Sequence, residues 1–218
     1  FGLTIRTRTM EDTPIIKGIY AITPEEADTK ILLQKVEGCI RGGANLIQYR
    51  AKKLSEDLKY VQAEYLKKLC DQHNIPLIIN DDLELCVHLD AFGVHLGAKD
   101  STLTEARELL GPHKIIGISC YNDLSRVEKA VNDKADYIAL GACFPSSTKP
   151  LAPHVKLEII AEVIKKYQTP IVAIGGINLK NIGLLIHQGV ECVALINSLF
   201  KEKNVETVTQ KFSQLLGK

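Results

Sequence analysis

Short apolar runs alternate along this chain with longer stretches in which apolar residues recur at helical spacing. The strand-like runs cover residues 18–23, 44–50, 77–80, 92–96, 114–119, 135–141, 171–174 and 190–196. Between them the spacing predicts helices. The first opens at Asp28 or Thr29, runs to about Ile40 and is stopped by Gly42-Gly43. The second opens at Ser55, places Leu58, Val61, Tyr65, Leu66 and Leu69 on one face, and ends near Asn74 ahead of Pro76. Shorter ones cover 83–88 and the stretch from the Thr102 cap to Gly111-Pro112. The later helices are placed at 124–132, 157–167, 178–188 and about 205–216. The longest connection is residues 142–155, which holds three of the eight prolines.

The strand-like runs are apolar throughout and do not alternate. That pattern suits strands buried on both faces, as in a parallel sheet covered by helices. Eight strand–helix units in 218 residues point to a single (β/α)8 TIM barrel. The runner-up is an open doubly wound sheet. Against it, no G-x-G-x-x-G follows the first strand. In a barrel the ends of all eight strands meet on one face, so residues remote in sequence become neighbours. Residues 1–14 are set aside as an extension, because the chain starts at Phe1 and its only methionine is Met10. The barrel domain is expected over 15–218.

Composition narrows the function classes. The chain is 45% hydrophobic and 24% charged, as a globular domain with a substantial core would be. A formal net charge of +1 argues against a general nucleic-acid binder. No apolar run approaches the roughly 20 residues that span a bilayer. The six cysteines (Cys39, Cys70, Cys86, Cys120, Cys143 and Cys192) are scattered without a C-x-x-C pair, which suits free thiols in a reducing cytoplasm. The expected partners are small-molecule substrates, with no membrane or nucleic acid; a homodimer is left open.

Candidate chemistry gathers at strand ends. Gln48, Arg50 and Lys52 follow one another at a spacing of two, so in extended backbone they share one side. They could line a pocket and hold an anion, or be ordinary surface groups. Asn80 and Asp81 close the third strand, and Asp100 follows the fourth. Two carboxylates at adjacent strand ends could share one Mg2+, which takes oxygen ligands and retains waters and phosphate oxygens. The alternative is helix capping, by Asp81 or Asp82 after the third strand and by Asp100 after the fourth. Ser146, Thr148 and Lys149 lie on the long loop after the sixth strand, which suits a lid over a phosphorylated substrate. Gly175-Gly176 and Ile196-Asn197 end the seventh and eighth strands, where barrels often bind phosphate through backbone N–H groups. Ser119 closes the fifth strand with Tyr121 just after it, and each could contact a substrate ring or be structural. His95 inside the fourth strand reads as a satisfied core histidine. A charge tally fits a diphosphate. Arg50, Lys52 and Lys149 against Asp81 and Asp100 leave +1, and one Mg2+ raises this to +3. A terminal diphosphate ester carries roughly −3, extrapolated from about −2 for a monoester.

These residues resemble the thiamine-phosphate synthase family from about Gly18 to Phe200. The family's Q-x-R-x-K is matched by Gln48, Arg50 and Lys52, and its I-N-D by Ile79, Asn80 and Asp81. G-V-H-L-G-x-x-D is matched by residues 93–100, the hydroxyl pair before the loop lysine by Ser146, Thr148 and Lys149, and A-I-G-G-I by residues 173–177. The resemblance implies a barrel enzyme that joins a hydroxymethylpyrimidine diphosphate to a thiazole phosphate and releases diphosphate. It implies that Gln48, Arg50, Lys52, Asn80, Ser119 and Lys149 hold the pyrimidine diphosphate, with Arg50, Lys52, Ser119 and Lys149 as the catalytic group. Asp81 and Asp100 would bind Mg2+, and Ser146, Thr148, Gly176, Ile196 and Asn197 would hold the thiazole phosphate. The family is thought to break the C–O bond before the thiazole nitrogen attacks. Ala98 and Lys99 stand where the family usually has glutamine and an acidic residue, Asn197 where it has serine, and Tyr121 where many members have histidine. The rival readings are a thiazole tautomerase on the same barrel, which needs an acid–base residue, and a non-catalytic sensor of a phosphorylated ligand.

Overall fold

The computed structural model describes residues 16–98, 100–145 and 154–217. The N-terminal extension, Lys99 and the loop residues Ser146, Thr148 and Lys149 lie outside the described residues. Eight strands close into a barrel in sequence order: β1 (Gly18–Ile22), β2 (Ala44–Tyr49), β3 (Leu77–Asn80), β4 (Gly93–Leu96), β5 (Ile115–Tyr121), β6 (Tyr137–Leu140), β7 (Ile171–Ile174) and β8 (Cys192–Leu195). All neighbouring pairs are parallel, including β1 with β8. The helices are α1 (Thr29–Arg41), α2 (Glu56–Gln72), α3 (Leu83–His88), α4 (Leu103–Leu110), α5 (Leu124–Asn132), α6 (Leu157–Lys166), α7 (Ile182–His187), α8 (Asn197–Phe200) and α9 (Val205–Leu215). The closed barrel, not the open doubly wound sheet, is the architecture.

The two-residue period of each strand divides the core in two. One set points out beneath the helices, including Ile47, Ile79, Val94, Ile138 and Val193 against Leu32, Leu66, Leu85 and Phe212. Each such aliphatic side chain contributes roughly 1.5–3 kcal/mol on burial. The other set points into the barrel and is smaller: Tyr20, Leu46, Ile78, Tyr137, Val172 and Ala194 are among it. Gln48, between outward Ile47 and Tyr49, belongs to this inner set and is 2% exposed.

Asp28 caps α1 by accepting from Ile31 N at 3.0 Å, and Ser55 accepts from Leu58 N at 3.4 Å at the head of α2. Three local features differ from expectation. β5 does not end at Ser119. It continues to Tyr121 across a bulge, because Ser119 pairs with Ala139 and Tyr121 with Leu140, leaving Cys120 as an extra residue. α7 starts at Ile182, not at Asn178. Asn178 instead forms a turn, its backbone N–H donating to Asn181 Oδ1 at 2.8 Å. The four-residue α8 directly after β8 has no periodicity long enough to be read from sequence.

Candidate active site

The inner residues at the C-terminal ends of β2 to β5 converge on one mouth of the barrel. Arg50 follows β2, Asp81 follows β3, and Asp100 lies in the turn between β4 and α4, so all three share that rim. The Arg50 backbone is held by buried Thr23, whose hydroxyl accepts from Arg50 N at 2.9 Å. A cation from the end of β2 and a carboxylate from the end of β3 meet there: Lys52 Nζ is 2.7 Å from Asp81 Oδ2. Asn80 Nδ2 donates to the same oxygen at 2.7 Å. Asp81 and Asp100 touch through their carboxyl groups, and Gly97 N donates to Asp100 Oδ2 at 2.7 Å.

Of the capping residues the alternative named, Asp82 is one, whereas Asp81 and Asp100 cap neither helix. Asp82 accepts from Leu85 N at 2.9 Å to cap α3, and its other oxygen is 2.7 Å from Lys59 Nζ. Thr102 caps α4 in a reciprocal box with Glu105. Asp81 and Asp100 therefore point to the mouth with neither helix requiring them. Asp81 has φ of 65°, a left-handed backbone that few non-glycine residues adopt.

The electrostatics of the pair are unequal. Burial raises the Asp81 carboxyl, but the bond to Lys52 and those to Asp100 and Asn80 outweigh it and hold its pKa below the ordinary value. Asp100 is held above its ordinary value by burial and by contact with Asp81, with the Gly97 N–H opposing. Two carboxyl groups in contact repel once both ionise. No group of three or more His, Cys, Asp or Glu that could hold a metal occurs among the described residues. A cavity of about 370 Å3, lined in part by Lys52, Asn80 and Asp81, opens beside them. A second, of about 530 Å3, opens at the other end of the barrel, bounded by Ile115, Asp136, Thr169 and Glu191, and touches none of the expected site residues.

Below the rim, the interior joins Gln48, His95 and Ser119 through two polar groups that sequence reasoning passed over, Tyr20 and Tyr137. Gln48 Nε2 donates to the Tyr20 hydroxyl at 2.8 Å, and the hydroxyls of Tyr20 and Tyr137 are 2.8 Å apart. His95 Nδ1 lies 2.9 Å from the Tyr137 hydroxyl, and Nε2 lies 2.8 Å from Ser119 Oγ. His95 is thus a satisfied core histidine, and burial lowers its pKa to about 4. Tyr20 and Tyr137 went unnoticed because their rings count as apolar in a strand pattern. The available signal was that each occupies an inward position in phase with Gln48 or Ser119.

Gly175 and Gly176 have φ of 98° and 67°. A Cβ on Gly175 would fall 2.7 Å from Ala142 Cα, and one on Gly176 2.3 Å from the Phe144 carbonyl oxygen. The pair admits the start of the long loop, pinned by Cys143 N donating to Ile174 O at 2.9 Å and Phe144 N to Gly175 O at 3.0 Å. Their first duty is therefore to seat the loop that leads to Ser146, Thr148 and Lys149. Ile196 is the N-cap of α8 and Asn197 its first residue, at the same end of the barrel. Tyr121, 42% exposed, takes a 3.4 Å hydrogen bond from Ala98 N and lies beneath Arg126, whose guanidinium is 5.5 Å from the ring centroid. All six cysteines are free and buried. No described helix is long and apolar enough to cross a membrane.

Comparison with known proteins agrees with this geometry. The thiamine monophosphate synthase family description matches residues 19–199. A thiamine-phosphate synthase of Methylobacillus flagellatus is 46% identical over 209 residues, covering 96% of this chain and 100% of its own. Among solved structures, a thiamine phosphate pyrophosphorylase from Pyrococcus furiosus superposes with a TM-score of 0.83 at 28% identity, covering 92% of this chain and 95% of that one. A 3-hexulose-6-phosphate synthase, at TM-score 0.66 and 12% identity over 90% of this chain and 98% of its own, shares the fold alone. The barrel, the rim residues and these likenesses together establish that the chain belongs to the thiamine monophosphate synthase family.

Proposed function

We propose that this chain is a transferase of thiamine biosynthesis that joins hydroxymethylpyrimidine diphosphate to hydroxyethylthiazole phosphate, giving thiamine phosphate and diphosphate. The observation that carries the reading is the contact of Lys52, Asp81 and Asp100 at the mouth, with both aspartates released from capping. The relatives' names support the same activity.

The residues suit Mg2+. A cation between two carboxyl groups in contact relieves their repulsion when both ionise, and two protein ligands leave positions for water and substrate oxygens, which is the habit of Mg2+. Among the described residues no group of ligands suits a closed zinc site with four protein ligands. Asp81 and Asp100 would hold the ion, and when bound it would neutralise and orient the departing diphosphate.

The chain's own groups do the rest. Lys52 and Arg50 reach the diphosphate from β2, and Lys149, outside the described residues, would add a third charge from the loop. Asn80 holds Asp81 in register by its 2.7 Å bond. Gln48 and Ser119, on β2 and β5 beneath the rim, would orient the pyrimidine ring. The loops after β7 and β8, through Gly176, Ile196 and Asn197 with Ser146 and Thr148, would hold the thiazole phosphate. An electron-rich aminopyrimidine can carry positive charge on its exocyclic methylene, so the C–O bond can break before the thiazole nitrogen attacks. Such a path needs alignment and charge stabilisation, not a strong base. The interior histidine, with both ring nitrogens engaged and its pKa near 4, does not serve as one. Buried free thiols fit a cytoplasmic enzyme.

The test is diphosphate release with both ring substrates, each alone, and with or without Mg2+. Release should require both substrates and the metal. Undiminished release by Asp81→Ala in the presence of chelator would reject the metal assignment, and no release under any condition would reject the reaction.

A further inference from the structure

Gln48 and Ser119 stand three strands apart in the barrel, on β2 and β5, yet one unbroken hydrogen-bonded series of buried groups joins them. We propose that Tyr20, Tyr137 and His95 form a one-way hydrogen-bond chain that locks the amide orientation of Gln48 to the hydroxyl of Ser119 and fixes Ser119 as a donor into the mouth. Its links are all 2.8 or 2.9 Å long.

The direction follows from counting protons. Gln48 Nε2 donates to the Tyr20 oxygen. Tyr20 has one proton and one further partner in the series, so it donates to Tyr137. Tyr137 then donates its only proton to His95 Nδ1. A neutral imidazole has one N–H, which must be on Nε2, and this donates to Ser119 Oγ. The Ser119 proton is left to point outward. Turning the Gln48 amide over reverses every link: Ser119 would donate inward to Nε2, and its oxygen could only accept. The choice made at β2 is therefore felt at β5 through four bonds. The argument takes a neutral imidazole, since an imidazolium would donate from both nitrogens, and the geometry suits one: each ring nitrogen faces a hydroxyl and neither faces a carboxylate.

The packing allows no slack in the series. Gly117 lies between His95 on β4 and Tyr137 on β6 in the sheet register. A Cβ there would come within 2.0 Å of Tyr137 Cζ, so the absent side chain is the gap through which the two rings meet. The rings stack with centroids 5.5 Å apart and 21° between planes, and Tyr20 packs edge-on to Tyr137 at 5.9 Å. Among the described residues no buried side-chain nitrogen or oxygen lacks a partner.

The use of this polarity rests on the reaction proposed above. An aminopyrimidine offers an amino donor beside a ring-nitrogen acceptor, matched by the carbonyl and the remaining N–H of Gln48. The diphosphate offers only acceptors, matched by a Ser119 that donates. Tyr20, Tyr137 and His95 touch no substrate in this scheme and are positioning residues.

The experiment is nitrogen-15 NMR of histidine-labelled, ligand-free protein at pH 7, which reads the His95 tautomer from the two ring shifts. Wild type should carry the proton on Nε2 alone. Tyr137→Phe and Tyr20→Phe, which keep the ring and remove one hydroxyl, should each give a mixture of tautomers. Proton on Nδ1 in wild type would overturn the proposal, as would a pure Nε2–H tautomer that persists in both variants. If Tyr137→Phe fails to fold, Tyr20→Phe decides. In turnover, either variant should lower kcat about fivefold to tenfold with KM for both substrates little changed. On a Ser119→Ala background Tyr137→Phe should add nothing; a full additional loss there would overturn the coupling. A wild type that releases no diphosphate would reject the reaction and leave the NMR result to judge the chain. An active wild type whose tautomer ignores both tyrosines would reject the chain and leave the reaction standing.

Discussion

Adding one methyl group to Gly117 tests the interior at its tightest point. The new Cβ of Gly117→Ala would lie 2.0 Å from Cζ, 2.3 Å from Cε1 and 2.4 Å from the hydroxyl oxygen of Tyr137. Ordinary carbon–carbon contact is about 3.5–4.0 Å, so the ring must retreat by about 1.5 Å. Tyr137 is fully buried, with His95 and Tyr20 against it, so the retreat breaks its bonds to both. Overpacking of this kind costs roughly 1–3 kcal/mol, and two lost hydrogen bonds about 1 kcal/mol each. The sum, roughly 3–5 kcal/mol, is a large share of a typical domain's stability. The control is Gly183→Ala. Its Cβ would meet no atom within 4 Å, and the residue lies in the exposed face of α7, so the same methyl should stabilise by up to about 1 kcal/mol through helix propensity. Urea unfolding of both variants beside wild type measures the two shifts. A Gly117→Ala protein within about 0.5 kcal/mol of wild type, with unchanged kcat, would show that the interior rings move freely and refute the packing argument.

Four further outcomes are expected. His95 has a folded pKa of about 4 against an unfolded value of 6.5, so between them the unfolded chain binds the proton and the native one does not. Its contribution is complete above pH 6.5 and is lost as pH falls toward 4, by roughly 3 kcal/mol in all; unfolding of His95→Gln should show a correspondingly shallower pH dependence over that window. Asp100→Asn removes one of two carboxyl groups in contact, so the metal-free protein should be no less stable by thermal melt, while half-maximal rate should need at least about tenfold more Mg2+. Gly176→Ala, at φ of 67° and 2.3 Å from the Phe144 carbonyl, should cost at least 1–2 kcal/mol from backbone strain alone. It should also lower kcat/KM by displacing the loop, both readable in one purified variant. Lys149→Ala should slow diphosphate release without moving the melting temperature, and normal rates would remove that lysine from the site.

The barrel was legible because burial on both faces leaves a strong mark on sequence: eight apolar runs without alternation, separated by helical stretches, some of them opened by a cap that the structure reproduces at Asp28, Ser55 and Thr102. What escaped has local causes. The β5 bulge depends on pairing with β6, and nothing within residues 114–121 announces an extra residue. Asn181 stands at the N-cap of α7 without a side-chain cap bond, its oxygen accepting from Asn178 N and its amide donating to Gly176 O, so the presence of a capping residue type could not say where α7 begins. At the site, the period of two set Gln48 in phase with Arg50 and Lys52, and for Asp81 and Asp100 the structure removes only the capping reading, because Asp82 and Thr102 cap α3 and α4. The Gly175-Gly176 pair was noticed for a different reason from the one the structure supplies. Its positive φ values serve first to seat the backbone of the preceding loop.

The mouth and the interior use polar groups under opposite conditions, and this explains how one barrel can hold both. At the rim Lys52 and Asp81 are partly exposed, so their pairing is screened, cheap to rearrange and able to yield to a substrate anion. A few ångströms below, Tyr20, Tyr137 and His95 are shut off from water, where an unpaired hydroxyl or ring nitrogen would be costly. Burial there suppresses charge, lowering the histidine and raising both phenols, so the interior stays neutral and only the direction of its protons can vary. Charge that must develop and depart belongs at the wet rim, whereas orientation that must not drift belongs in the dry interior. Gln48 and Ser119 are each bonded to that interior, and a reaction that needs alignment more than a base would draw on the division.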